Sequence, residues 1–296
     1  MNSLDNCTYS MNRPTNILRY CLALAAGVLL YLTSGATMAC AQDRDSMLVY
    51  VPSGRQVERA ILLGIGHSSQ LDTYLSPMEY GGPQLSFLTV RQRMTGLAGG
   101  RVSFQSLVQG AFSRTENPAA TADELAGRIG YDAGWHYVWR PVGGLSVRGG
   151  ALVGADVGFL YNTRNGNNPA QARASADLSL SAAGSWTFRL RRLPMQVLYQ
   201  ADLPVLGCMF SPRYGQSYYE IYQGERDHNV RFTSPANALS LRQMLGLDFC
   251  FRRITLRVGY LSDVRQNHLN GIKAHDISRS FMLGYVRHFQ TLKRKR

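Results

Sequence analysis

The chain has 296 residues, 29 glycines and a formal net charge of +13. Its mean hydropathy lies slightly below zero, which argues against a bundle of membrane-spanning helices. It leaves room for a barrel, whose strands turn only every second residue to lipid. A basic surplus calls for an anionic partner, and an export signal makes that partner lipopolysaccharide or another anionic envelope lipid, with no nucleic acid.

The signal occupies the N-terminus. Arg13 and Arg19 precede an apolar stretch over 20–32, and Ala39-Cys40-Ala41 forms a small-residue cleavage site before Gln42. This predicts a signal peptide over 1–41, and a start at Met11 would give it a more ordinary length. Thr37-Met38-Ala39 lacks the aliphatic residue expected three positions before a lipidated Cys40. No later segment approaches the roughly 18 consecutive apolar residues of a spanning helix. Cleavage after Ala41 leaves Cys208 and Cys250, which the strand layout puts near opposite ends of neighbouring strands, so two free thiols are expected.

Residues 42–58 read as a polar periplasmic segment, 59–290 as the barrel and 291–296 as a basic tail. Strands are expected near 60–69, 84–94, 101–113, 125–139, 145–160, 173–190, 195–206, 238–251, 254–264 and 275–290, ten in all. The first two alternate least cleanly. In 125–139 Ile129, Tyr131, Trp135, Tyr137 and Trp139 share a face. In 145–159 Leu145, Val147, Ala151, Val153, Val157 and Phe159 oppose Ser146, Arg148 and Asp156. The period of two is clearest over 174–190, where Leu178, Leu180, Trp186, Phe188 and Leu190 alternate with Asp177, Ser179, Ser181, Ser185 and Arg189. Leu241, Leu245, Leu247, Phe249 and Phe251 continue the pattern, with Gln243 as the exception, and Phe281, Leu283, Tyr285 and Phe289 end it.

The expected links alternate in length. Long ones fall at 70–83, 114–124, 161–172, 207–237 and 265–274, short ones at 95–100, 140–144, 191–194 and 252–253. Short periplasmic turns and long outer loops are the convention of outer-membrane barrels. Within 207–237, the segments 217–223 and 230–233 would add two strands, so ten and twelve both stay open. Trp135, Trp139, Trp186, Phe188, Phe249 and Phe289 gather near the periplasmic ends, and Tyr74, Tyr80, Phe112, Phe159 and Tyr161 near the outer ends, as two interfacial girdles. A soluble sandwich or lipocalin-like barrel also alternates, but the long strands, girdles and signal favour an antiparallel transmembrane β-barrel in the outer membrane of a Gram-negative bacterium.

Gly64-Ile65-Gly66 leading into Leu71-Asp72-Thr73-Tyr74-Leu75-Ser76-Pro77, then Tyr80-Gly81-Gly82, and Tyr214-Gly215-Gln216-Ser217-Tyr218-Tyr219-Glu220 resemble a family of uncharacterised outer-membrane proteins from Bacteroides-type bacteria. The resemblance implies location and fold over most of the mature chain. That family is a domain of unknown function, so it implies no catalytic residue.

Arg128, Asp132, His136, Arg148, Asp156, Asp177, Arg189, Asp202, Arg242, Asp248 and Arg257 fall on the inward face. Charges removed from water cost several kcal/mol each unless paired. Interleaved signs in a narrow ten-strand bore therefore predict an ion-paired, largely occluded lumen, with a small-solute channel as the alternative. His67 and Ser69 share a face with Asp72 nearby, which allows a second alternative, an outer-membrane lipid hydrolase. His228 with Asp227 and Glu225, and His268 with His275 and Asp276, lack a metal-ligand spacing, so neither a metal nor a cofactor is expected. The segment 207–237 sets Tyr214, Tyr218, Tyr219, Tyr222, Phe210 and Phe232 beside Arg213, Glu220, Arg226 and Arg231. Loops this long fold over the barrel or bind something. The leading expectation is a non-enzymatic barrel with a structural or surface-binding role. Arg213, Tyr214, Tyr218, Tyr219 and Glu220 would be the binding residues. Lipopolysaccharide, outer-membrane lipid, the barrel-assembly machinery and a surface glycan or protein would be the partners.

Overall fold

A computed structural model describes residues 56–290, apart from Asn167, Arg192, Arg252 and Arg253. The expected signal peptide, most of the 42–58 segment and the 291–296 tail lie outside the described residues. So do the side chains of Gln56, Phe289 and Gln290.

The strands, numbered in chain order, are β1 (Gln56–Asp72), β2 (Ser76–Met94), β3 (Val102–Glu116), β4 (Asp123–Trp139), β5 (Leu145–Asn162), β6 (Ala170–Leu190), β7 (Leu193–Phe210), β8 (Val230–Thr233), β9 (Ser240–Cys250), β10 (Thr255–Leu269) and β11 (Ile272–Gln290). One helical turn, α1 (Tyr218–Gln223), lies between β7 and β8. Every strand except β8 pairs antiparallel with a neighbour on each side, and β1 with β11 closes the ring from Gln56↔Gln290 to Asp72↔Ala274. The barrel wall therefore has ten strands. Following paired residues from Ile61 reaches Cys208 on β7 in one direction and Met195 in the other. That offset is the stagger that tilts barrel strands and sets the bore.

The polarity of the wall is inverted relative to a soluble barrel. Ile65, Ile129, Trp135, Val153, Val157, Leu180, Trp186, Phe281 and Leu283 stand exposed on the outside. Ser68, Gln105, Gln109, Asp132, His136, Ser181, Asp202, Asp248 and Asp263 are buried inside. An apolar exterior around a polar interior is stable only where lipid covers the wall, and a closed wall leaves no unpaired strand edge in the bilayer. The chain is an outer-membrane β-barrel.

The outer hairpins differ from the expected loops. The 70–83 link shrinks to 73–75, 114–124 to 117–122, 161–172 to 163–169 and 265–274 to the two residues Asn270 and Gly271. Both residues of that last turn have positive φ, 52° and 78°, the geometry that Asn-Gly favours in a two-residue hairpin. Near these tips the outward residues are polar, as in the pairs Gln266↔His275 and His268↔Lys273. Backbone pairing continues there although the apolar alternation has ended.

The 211–239 connection remains long. Its 217–223 segment is helical and adds no strand. Ser217 accepts a bond from the Glu220 amide, Glu220 caps the Ser217 amide in return, and Gly224 ends the turn at φ 110°. The 230–233 segment is a strand, but it pairs only with the outer end of β7, from Gly207↔Thr233 to Phe210↔Val230.

Candidate functional site

Neighbouring strands make the wall, so side-chain bonds between distant strands report on the lumen. Arg128 on β4 reaches Asp263 on β10 at 2.8 Å, five places around a ring of ten. Arg173 on β6 reaches Asp72 on β1 at 3.0 Å, also directly across. Arg242 on β9 bonds Asp132 on β4 at 2.7 Å, Asp202 on β7 at 2.9 Å and Gln109 on β3 at 3.3 Å. Arg265 holds Asp156 at 3.2 Å and Asp263 at 3.3 Å. Lower in the barrel Gln105 bonds Gln200 at 3.0 Å, and Arg148 bonds Gln92. Arg257 joins Asp248 at 2.6 Å and Glu58 at 2.9 Å. These crossings lie at successive levels of the bore.

An apolar layer fills part of the same bore. Ala60, Leu62, Leu88, Leu107, Leu261, Met282 and Val286 point inward, each less than 4% exposed. Side chains of this size pack like a core. Water entering beside them would have few polar partners.

Of the inward residues expected from sequence, Arg128, Asp132, Asp156, Asp202, Arg242, Asp248 and Arg257 join this network. Asp177 bonds Ser179 at 2.8 Å, and His136 bonds Ser181 at 2.8 Å, which in turn donates to Asp202. Arg148 takes Gln92 as its hydrogen-bond partner, with no carboxylate in ion-pair range among the described residues. Arg189 departs from the expectation. Its position has inward parity, but it is exposed beside the last turn of β6, beyond the periplasmic rim. Small residues opposite the acids make the packing workable. A side chain at Gly154 would collide with the Asp132 carboxylate, and one at Gly130 with that of Asp156.

Sequence reasoning did not place Asp72, Arg173, Asp263, Arg265 and Asp276 in the lumen: Asp72 and Arg265 fell in expected links, and the other three at the outermost ends of expected strands. Asn270-Gly271 was the available signal. A two-residue turn there extends both strands and keeps Asp263 and Arg265 in phase with Arg257.

His67 and Ser69 do face the same way, outward. Asp72 does not join them: it is 1% exposed, inside the barrel, held by Arg173 and by the Tyr74 amide at 3.1 Å. Ser69 donates to Glu79, which also lies 3.4 Å from His275. The serine proton is thus directed to a carboxylate and away from an imidazole base.

The outer connection separates the five expected binding residues. Tyr218 is structural. It accepts a bond from the Ala172 amide at 2.6 Å and packs edge-on to Tyr74, with ring centres 6.1 Å apart. Tyr74 donates to the Gln216 carbonyl at 2.7 Å. Burial, followed by the neighbouring Tyr218, pushes the Tyr74 hydroxyl up to about 12, so it remains a donor at neutral pH. Burial also raises Tyr218. Glu220 is spent on the helix cap, and Arg213 pairs with Glu225 at 3.4 Å. Tyr214 and Tyr219 are each 69% exposed, and Tyr222, Val230 and Phe232 stand out beside them. The connection is pinned to the β10–β11 tip, where Asn270 donates to the carbonyls of Ser211 at 2.7 Å and His228 at 2.9 Å. Below it lies a cavity of about 80 Å³ in the outer part of the lumen.

Cys208 and Cys250 are both free thiols, and among the described residues no group of metal-ligating side chains is suited to hold an ion.

Comparison with known proteins gives a family match. The model of a protein of unknown function, DUF3316, matches residues 22–296. No curated protein matches the chain. Similar solved structures are distant barrels. The transport unit of the autotransporter AIDA-I from Escherichia coli is 9% identical, covering 85% of this chain and 95% of its own, with a TM-score of 0.43. The outer membrane protease OmpT from Escherichia coli is 6% identical, covering 83% and 100%, with a TM-score of 0.46. Ail, the attachment invasion locus protein of Yersinia pestis, is 11% identical, covering 78% and 98%, with a TM-score of 0.29. Likenesses this distant carry nothing about ligand or activity.

Proposed function

The chain belongs to the DUF3316 family of proteins of unknown function, and from that premise we propose a non-enzymatic, closed outer-membrane barrel that acts through its outer surface, binding the sugar and phosphate groups of lipopolysaccharide with its 211–239 connection. The observation that carries the reading is the set of bonds between opposite strands, Arg128–Asp263 and Arg173–Asp72 above all. A lumen crossed at its diameter offers no path for a solute. The groups that remain for a large partner are therefore on the outside.

There the chemistry suits an anionic glycan. Tyr214, Tyr219 and Tyr222 present flat apolar faces with polar tips, and the exposed Arg226 and Arg231 supply guanidinium donors beside them, Arg213 being paired with Glu225. Lipopolysaccharide surrounds the outer rim of any such barrel, so contact needs no diffusion from a distance.

The test is a titration of the purified barrel in nanodiscs of neutral phospholipid with lipopolysaccharide. The unaltered protein is expected to bind. A Tyr219→Ala/Tyr222→Ala double variant is expected to bind about tenfold more weakly, since each aromatic contact contributes about 0.5–1.5 kcal/mol beyond its area. Equal affinity of the two proteins, or no binding by either, would overturn the reading.

A further inference from the structure

The cavity beneath the outer connection has the composition of a ligand site. Its wall combines Arg128, Arg173 and Arg265 with Asp72, Asp156 and Asp276. Three cationic and three anionic groups balance, so the wall favours neither a plain anion nor a plain cation. Met209, Phe210, Ile272 and Ala274 give it an apolar side.

Many polar groups here are committed to one another, and two exceptions bear on a ligand. Gln70 is 1% exposed, and its amide nitrogen donates to Ser68 at 3.0 Å and Ser113 at 2.8 Å. Ser68 donates onward to Asp276 at 3.1 Å, so its oxygen must accept from Gln70. That chain fixes the amide orientation and leaves the Gln70 Oε1 buried with no partner. A buried acceptor without a donor costs about 1–3 kcal/mol, a cost that a ligand donor removes. The second exception is Arg173. Its Nη2 holds Asp72, its side chain is 28% exposed, and a guanidinium carries five N–H donors. Gln70, Asp72 and Arg173 all line the cavity, and Gln70 and Asp72 are successive inward residues of β1, about 7 Å apart along the strand, so Gln70 and the guanidinium lie at one end of it.

Size limits the occupant. A water needs about 10–15 Å³ of such space, so about 80 Å³ accommodates a molecule of roughly five to eight heavy atoms. A hexose is too large.

We propose that this cavity binds a small zwitterionic amino acid, with its carboxylate on Arg173, its ammonium group donating to Gln70 Oε1 and its side chain against Phe210 and Ile272. The balanced wall suits a ligand that carries both charges, and the paired donor and acceptor match its two ends.

The experiment is calorimetric titration of the purified barrel in detergent with glycine, L-alanine and L-serine, with acetate and D-glucose as controls. The amino acids are expected to bind and the controls are not. Gln70→Leu should weaken binding at least about tenfold by removing the acceptor. Ala126→Leu fills the cavity without touching a hydrogen bond and should abolish binding, while the barrel keeps its heat-modifiable migration on gels. Tyr219→Ala/Tyr222→Ala should leave amino-acid affinity unchanged, which separates this site from the lipopolysaccharide surface. No binding by the unaltered protein, binding of acetate or glucose instead, or full binding by a folded Ala126→Leu variant would each overturn the proposal.

Discussion

The lumen and the outer connection are built on opposite economies of polar groups. In the lumen nearly every charge is bound to another, often on the far side of the barrel. Arg242 touches three partners on three strands, and Arg257 two on two. In the outer connection the backbone is held firmly, by the Ser217–Glu220 cap, the Tyr74–Gln216 bond and the Asn270 anchors. Tyr214, Tyr219, Tyr222 and Phe232, however, are left exposed. Desolvated charges must be satisfied where they sit, whereas exposed aromatics on a rigid support cost little entropy when something binds them. The difference separates a self-satisfied interior from an outer surface that leaves aromatic side chains uncovered.

Substitutions in the two regions should therefore have unlike consequences. Arg242→Ala strands Asp132 and Asp202 in the bore and should cost about 3–5 kcal/mol, read from urea titrations of barrels folded in vesicles and followed by tryptophan fluorescence. Leu62→Ala empties a fully buried site in the apolar layer and should cost about 2–5 kcal/mol in the same titration. Ser217→Ala removes one side of the helix cap. It should cost about 1 kcal/mol, seen as faster amide exchange over 217–224 with the wall unaffected. Tyr222→Ala, 80% exposed, should change stability by less than about 0.5 kcal/mol and register only in lipopolysaccharide affinity. A large stability loss for Tyr222→Ala, or none for Arg242→Ala, would erase the distinction between the two regions.

The sequence made the membrane-facing wall legible because lipid enforces the alternation there. Residues 174–190 and 239–251 read cleanly for that reason. It failed in two places with physical causes. In β1 and β2 the inward residues Ala60, Leu62, Leu88 and Val90 are apolar, like their outward neighbours Ile61, Leu63 and Phe87, so the period of two disappears although the strand is present. At the outer hairpins both faces become polar above the lipid, and continuing strands look like loops. Asp72 and Arg265 were lost in this way, and with them part of the cavity wall. The helical turn was readable locally from Ser217-x-x-Glu220 followed by Gly224, but a strand reading of the same tyrosine-rich stretch competes with it. Which tyrosines stay exposed depends on packing between Tyr74 and Tyr218, residues far apart in the chain, and no local pattern reports it.

The central claim is that the lumen is closed, and single-channel recording in planar lipid bilayers tests it most directly. Purified protein whose insertion is verified by heat-modifiable migration should give no stepwise conductance under applied voltage. Reproducible unitary current steps from the unaltered protein would contradict it.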